Sequence, residues 1–557
     1  SGTLTVQGAL WLFGLASSTP MFDAGTVMLR GGHLTLGSSS LNNFGSDSVA
    51  PTITVRGGQV TIGGGGAAAA NRLRDTASVV LEGGMFIGSR GNANYDEVFA
   101  SVSVGAGGSL WGTQVSDNGG FAPNATLIST GSSISRGAAR GTLLFQGSNF
   151  EIANTSSGGP GGRGRIIITN TSGLTLIGGG GLTSSTTTTN NSIVPWAVGA
   201  STGGATTDGI TTSLGTGFVT YDSTLGVRLL TSTNYDSALG TAGNNVRYAI
   251  NGTPTGNQTA NALLVDTNGS AGAARTLTGD GSLTITSGAL MLGGDTSSAS
   301  NVTNTGTIGG FTGLVFGSSE SPREAFVTVA AIHANTASSN FRTAGTLTIS
   351  SPITTADGLT KSGPGTLVLS SAANSFSGPT TINGGTLRLG ASNALPTGSA
   401  VAINGGVGIA SGTITPVGTN RNLVANTFLD LNGFNQTVAG LTGGELAAGL
   451  PGGVVTNSAT GTSTLTHTGS STFAGQLQDG GAGRVLALVK STGGMLTLTG
   501  SNNYSGGTQI NAGVLNYGNT AALGTGMVNF TNNGTLQAGV TGTVANSVSI
   551  GSGVTGS

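Results

Sequence analysis

Cysteine is absent from the 557 residues, lysine occurs twice, and charged residues make up only 7%, against roughly 25% in an ordinary soluble domain. Without cysteine there are no disulfides, and a structural zinc site lacks its commonest ligand. A formal net charge of −1 with 19 basic residues leaves no electrostatic footprint for nucleic acid or an anionic membrane. No apolar run reaches the ~18 residues of a membrane helix. Residues 9–16, ALWLFGLA, come nearest, and no Lys or Arg precedes them as in a signal peptide. Proline is scarce at 13 residues and glycine does not recur at every third position, which excludes collagen. Hydrophobic residues are 36%, too many at this net charge for a disordered chain.

What is abundant is glycine, 103 residues, well over the usual share of ~7%, together with Thr, Ser and Asn. The glycines fall in a motif, apolar-x-x-Gly-x-apolar-x-apolar-Gly. It occurs at Leu29–Gly37, Val55–Gly63, Ile285–Gly293, Ile382–Gly390 and Ile510–Gly518, with a shortened form at Leu81–Gly88. The Gly-Gly pairs at 31/32, 57/58 and 83/84 are 26 residues apart, and the next, at 107/108, follows after 24. A period in the twenties marks a solenoid.

Stretches such as TLVL and TLRL alternate apolar and polar residues, so one face of each strand is apolar. Asn-Gly-Gly and Asn-Ala-Gly supply positive φ at a corner between strands. The glycines expected at these corners are Gly32, Gly58, Gly84, Gly288, Gly385 and Gly513. One coil cannot close a core alone and buries its apolar face only on its neighbours. The expected fold is therefore all-β, a parallel β-helix (β-solenoid) of about 25 residues per coil with loop or strand excursions, drawn out into one rod of roughly 20 coils. Three regions are expected: N-terminal coils over 1–182, a Gly/Ser/Thr-rich excursion or irregular coils over 183–275, and C-terminal coils over 276–557. Residues 155–215 read as a loop between coils or as polar ladders on a face, the loop being favoured. The chain begins and ends inside repeat-like sequence, so any secretion signal or anchor is expected outside it.

A longer unit occurs twice, KSGPGTLVLSSAANSFSGPTTINGGTLRLGASNALPTG at 361–398 and KSTGGMLTLTGSNNYSGGTQINAGVLNYGNTAALGTG at 490–526. Both lysines of the protein stand at the same position of this unit. Phe376 matches Tyr504, and Leu387 matches Leu515. These two stretches, about an eighth of the chain, closely resemble the autotransporter-associated β-strand repeat of bacterial surface proteins. The segments at 71–88, 193–201 and 217–230 resemble a companion region of such proteins. The resemblance implies a right-handed parallel β-helix that is exported to the bacterial cell surface or beyond. An autotransporter also carries a C-terminal membrane barrel of ~8–14 strands with aromatic girdles. No such segment is legible, and aromatics are only 5%. The resemblance by itself names neither a ligand nor an activity.

The chemistry-bearing residues are sparse. Paired acids for glycoside hydrolysis must sit ~5–9 Å apart, and Glu82 with Asp96 and Glu97 is the best candidate, against a solvated edge as the simpler reading. Arg72, Arg74 and Asp75 read as a surface ion pair. His33, His333 and His467 are scattered, and no two stand at ligand spacing. No metal or cofactor is therefore expected: GDGSLTI at 279–285 offers only Asp280 toward calcium, and the Gly-x-Gly strings precede no helix. Trp196, Phe218, Tyr221 and Tyr235 cluster in sequence. They are the candidate contacts for a glycan, against packing in the core or of a protrusion on the rod as the favoured reading. Asn-x-Thr/Ser sequences read as ladder and turn residues.

These observations predict a non-catalytic extracellular structural protein. It would be a subunit of a cell-surface fibre, filament or matrix that self-associates head to tail by strand pairing, its coil ends showing no capping element. The alternatives are a surface adhesin binding glycan or a host surface and, third, a polysaccharide-degrading β-helix enzyme.

Overall fold

The computed structural model describes residues 3–6, 9–12, 26–30, 33–36, 52–63, 73–90 except 74, 95–115, 126–147, 163–181, 188–201, 216–267 except 224, 274–293, 305–333 except 319, 342–407, 424–552 except 448 and 449, and residue 554. Within them the chain is all-β and builds two stacks of parallel strands.

The first stack has two sheets. One runs through Thr3–Val6, Thr26–Arg30, Thr52–Arg56, Ser78–Glu82, Tyr95–Val104 and Thr126–Arg136 to Arg163–Asn170. The other runs from Ala9–Leu12 through Gln59–Gly63, Met85–Arg90, Gly108–Val115 and Thr142–Gly147 to Ala197–Ser201. Thr26 pairs with Thr52 and Thr52 with Ser78, so the 26-residue spacing of the glycine pairs is the step from one rung to the next. Two rungs, Arg163–Asn170 and Ala197–Ser201, fall in the stretch read as a loop. The alternation in RGRIIITN and the apolar content of PWAVGA outweigh the surrounding glycines.

Alternation decides what is buried. Val79, Leu81, Val102 and Val104 point inward and are fully covered, while their neighbours are partly exposed. Phe86, Phe99, Trp111 and Phe145 stack through this core at centroid distances of 5.3–6.5 Å, edge-on or tilted as ring quadrupoles favour.

The second stack begins at Thr241–Tyr248 and continues through parallel pairs to Val548–Ile550. Its core is one cluster extending from Val246 to Phe530. Leu347, Leu367, Leu387 and Leu429 lie in register on successive rungs. The step is 20 residues from Thr346 to Thr366 and again to Thr386, then 42 to Phe428. Asn374 ties three coils together: Oδ1 accepts from the Ile353 amide at 2.7 Å and Nδ2 donates to the Ala394 carbonyl at 2.7 Å. Asn502 does the same between Leu477 and Ala522.

The expectation of one uncapped rod is corrected in two respects. There are two stacks, and each is closed at the end where they join. The first ends on an antiparallel hairpin, Gly217–Asp222 and Gly226–Leu229. The Tyr221 hydroxyl donates to the Ile168 carbonyl at 2.7 Å and accepts from its amide at 3.1 Å, satisfying the edge of the last rung. The edge of the second stack is met by Thr189, whose carbonyl accepts from the Asn245 amide, and by Asp236, which bridges to Val246.

The corner glycines divide into two kinds. In the first stack the left-handed residue is the first of each pair, Gly57 at φ +63° and Gly83 at +69°, rather than Gly58 and Gly84. Gly84 is needed for a different reason, since a Cβ there would lie 2.5 Å from the Val55 carbonyl oxygen. In the second stack Gly288, Gly385 and Gly513 carry the positive φ themselves. Gly32 lies outside the described residues.

Gly385→Val combines a left-handed backbone with a Cβ only 2.3 Å from the Gly365 carbonyl oxygen, so it is expected to lower stability by on the order of 2 kcal/mol or more. Gly398→Ala meets open space and is expected to leave the urea midpoint within about 0.5 kcal/mol of wild type.

Candidate functional site

The four aromatics singled out in the sequence are all buried: Trp196 is 4% exposed, Phe218 2%, Tyr221 3% and Tyr235 7%. Trp196 and Tyr221 belong to the core of the first stack, and Phe218 and Tyr235 to a smaller cluster where the stacks join. The Tyr235 hydroxyl accepts from the Phe218 amide at 3.3 Å, and burial raises its pKa. Stacking on a sugar needs an open ring face, and none of the four has one. Their role is packing and edge capping.

Of the candidate acids, Glu82 and Glu97 are not brought together either, and the side chain of Asp96 lies outside what is described. Ser78 pairs with Ser101, which places Glu82 four residues beyond one and Glu97 four residues before the other. They are separated along the strands by on the order of 25 Å, well past the span of a glycosidase pair. Glu82 is instead held by Arg56, whose Nε donates at 2.7 Å, and Glu97 is buried and accepts from the Leu73 amide. Asp75 is exposed; Arg72 and Arg74 lie outside the described residues. Among the described residues no group of three His, Asp or Glu is placed to hold a metal ion.

What the fold does bring together is a seam between the stacks, where side chains far apart in sequence meet. The turn Gly137–Gly141 projects two arginines from the end of a first-stack strand. Glu324 of the second stack, 7% exposed, accepts from Arg136 Nη1 at 2.8 Å and Nη2 at 3.0 Å. Arg140 Nη1 lies 3.2 Å from the same carboxylate, and its Nη2 pairs with Asp357. Thr360 donates a further hydrogen bond to Glu324. The Arg136 guanidinium also sits 4.9 Å over the Phe326 ring. Burial alone would lower the Arg140 pKa, but hydrogen bonding and charge from Asp357 and Glu324 outweigh it and raise the pKa. Arg140 is one of the few non-glycine residues at positive φ, +57°. In that conformation its carbonyl accepts from Asn383 Nδ2 at 2.7 Å.

The order of contacts gives the direction of the two stacks. Gly108 lies against Asn383, Arg140 against Asp357, Ile177 against Asn261 and Asn191 against Asn245. First-stack numbers rise as second-stack numbers fall, so the chain folds back on itself and the stacks run antiparallel, side by side. The apolar part of the seam comes from outward-facing residues. Met85, Ile87, Leu110 and Leu144 form one cluster. Phe218, Leu230 and Tyr235 meet Ala262, Leu264, Ala289 and Met291 in another. A cavity of about 50 Å³ remains, lined by Leu110, Leu144, Trp196, Thr328, Pro364 and Asn383. It has room for a water or two, not for the ligands of 300–1,000 Å³ sites.

Sequence reasoning missed this seam, although one signal was present. MFI at 85–87, LLF at 143–145, ALLV at 262–265 and ALML at 289–292 are continuously apolar where one-sided strands alternate, as strands covered on both faces are. No comparable signal marks Arg136, Arg140 and Glu324, which are 188 residues apart at the bidentate pair.

The two lysines occupy matching corners of the second stack. Lys361 is fully buried and its ammonium donates to the carbonyls of Gly363, Gly365 and Gly384 at 2.6, 2.6 and 2.8 Å. Lys490, also buried, donates to Thr492 and Gly493 at 2.5 and 3.1 Å. In each unit the amide of the corner Asn, Asn383 or Asn511, donates to the carbonyl of its lysine at 2.8 Å. With this repeated geometry established, the comparison with known families is specific: the passenger-associated-transport-repeat family matches residues 359–389 and 488–516. The chain carries two copies of this repeat. No curated protein and no solved structure matches it. The repeat is associated with the passengers of autotransporters, which points to export to the cell surface.

Just ahead of the second repeat, His467 lies beside Lys490 on adjacent rungs. It is fully buried, with Nε2 2.8 Å from Ser471 Oγ. Burial first, then the charge of Lys490, lowers its pKa to about 4. Of His33 and His333 only the strand backbone is described.

Glu324→Gln breaks a buried ion pair and is expected to destabilise toward the lower end of ~3–5 kcal/mol. Glu82→Gln removes a half-open pair and is expected to shift urea unfolding by less than about 1 kcal/mol. A second expectation concerns acid. Unfolded histidine titrates near 6.5, so between about pH 6.5 and 4 the unfolded chain takes up the His467 proton while the folded chain does not. Stability is therefore lost as pH drops from about 6.5 to about 4. His467→Gln should flatten this part of the pH profile, read as urea midpoints at pH 7.5 and 4.5.

Proposed function

We propose that the chain is a non-catalytic structural protein of the cell exterior. In this reading it is a right-handed parallel β-helix, with rungs advancing by 26 residues over part of the first stack and by 20 over much of the second, the subunit of a surface fibre or matrix, and copies join end to end by strand pairing. The observation that carries the reading is the second stack, whose parallel rungs share one core from Val246 to Phe530 and cover one another in turn. Strands Thr508–Ile510, Val528–Phe530 and Val548–Ile550 advance by 20 residues per rung. Among the described residues Val548–Ile550 pairs on one side only. Val548 and Ile550 are 52% and 54% exposed, while Phe530 on the rung before is 4% exposed. In the proposed assembly a rung of this kind takes a parallel strand of another copy as its next neighbour, through backbone hydrogen bonds and apolar cover. Joining by this route is heterologous and leaves a further open edge, which is the geometry of a filament. A net charge of −1 opposes that approach only weakly.

The non-catalytic part of the reading is supported by how the acids are used. Glu82, Glu324, Asp266 and Asp430 are each taken up by an arginine.

The test is concentration-dependent elongation, followed by light scattering and negative-stain electron microscopy. Wild type is expected to form rods that lengthen with concentration, and Val548→Lys with Ile550→Lys to form none. Wild type that remains monomeric at high concentration, with surface fibres lacking it, overturns the reading.

A further inference from the structure

We propose that the seam is an exchangeable interface and that its second occupant is another copy of this chain: the first stack of one molecule docks on the second stack of another, giving a closed, swapped dimer. The inference rests on the seam and is independent of end-to-end joining.

Four observations carry it. The stacks have separate cores, one from Leu34 to Leu229 and one from Val246 to Phe530, so each has its own continuous packing. Strand pairing places every described strand up to Leu229 in the first stack and every one from Thr241 in the second, so the chain crosses once, through Leu230–Gly240. Those 11 residues, ending on an exposed glycine, reach on the order of 36 Å when extended. The seam is also selective by charge, with Arg136 and Arg140 on one side and Glu324 and Asp357 on the other. Finally, parting the stacks would bare Leu110 and Leu144 on one side and Ala262, Leu264 and Met291 on the other. An opened molecule must cover these faces again. A second copy offers surfaces already matched in shape and sign. The seam contacts made outside the connection, the charged cluster among them, are then regained, which is why exchange of identical elements is a low-cost route to dimers.

The test uses two charge-exchanged full-length chains, Arg136→Glu with Arg140→Glu, and Glu324→Arg with Asp357→Arg. Within either chain the seam meets like charge. Across the two chains both seams meet opposite charge. Each is unfolded in urea and refolded alone and as a mixture, then sized by chromatography with light scattering, with circular dichroism reporting β content. The expected result is a one-to-one dimer at twice the chain mass in the mixture only. A mixture that behaves as the sum of its separate components overturns the proposal. Val548→Lys with Ile550→Lys, a chain expected not to elongate, refolded over a hundredfold concentration range supplies a second reading if the charge-exchanged variants fail to regain β content. A dimer fraction that rises with concentration and stops at two copies supports exchange, and monomer throughout overturns it. Val548→Lys with Ile550→Lys introduced into wild type should leave this dimer intact, which separates it from end-to-end growth.

Discussion

The structure depends on a coil having no inside of its own. Each rung is a strand of 2 to 12 residues and a corner, and its inward side chains are covered only by the rungs before and after. Leu367 is buried because Leu347 and Leu387 lie on either side of it in register. The backbone obeys the same rule, since a strand in a parallel ladder is satisfied only when both edges are met. Tight corners follow from this demand. Rungs must approach closely, so Gly84 and Gly385 sit where a side chain would strike the neighbouring coil's backbone.

Side-by-side packing adds a second level to that rule. Strands whose outward residues are polar can face water, and Gln59 and Thr61, joined by a hydrogen bond on the outer face of their rung, do so in part. From Met85 onward the same sheet is apolar outside as well as inside, and it is there that the second stack lies against it. Two arginines, a glutamate and an aspartate then set the alignment, because buried guanidinium and carboxylate groups tolerate little displacement from one another. Hydrophobic cover brings the stacks together, and the charged groups fix where along their length they meet.

The rungs were legible in the sequence because their physics is local. Period-two alternation, the 26-residue return of Gly-Gly and the two long units each depend on a few adjacent residues, and they led to parallel stacked strands. The fold-back was not legible, because it depends on pairs such as Arg136 with Glu324 and Arg140 with Asp357 that no local pattern joins. The same reasoning decides between the two readings of the aromatics, in favour of packing over contact with a glycan. A cluster in sequence says nothing about which face of a rung a ring occupies, and Tyr221 is taken up in closing the edge at Ile168. Glu82 and Glu97 looked adjacent when counted in coils, and register set them at opposite ends of neighbouring strands. Only the corner glycines lay between these cases: their presence was readable, and which of two carried the left-handed backbone was not.

The burial of both lysines has a consequence for how the outside of the molecule meets its surroundings. Lys361 and Lys490 are the only lysines of the sequence and both are wholly covered, with ammonium groups turned onto backbone carbonyls. The folded chain therefore presents no lysine amine to solvent. Acylating reagents, aldehyde fixatives and lysine-directed proteases would find no side-chain amine to attack until a coil opened, so the same two residues that pin the repeat corners also leave the surface inert to a whole branch of amine chemistry.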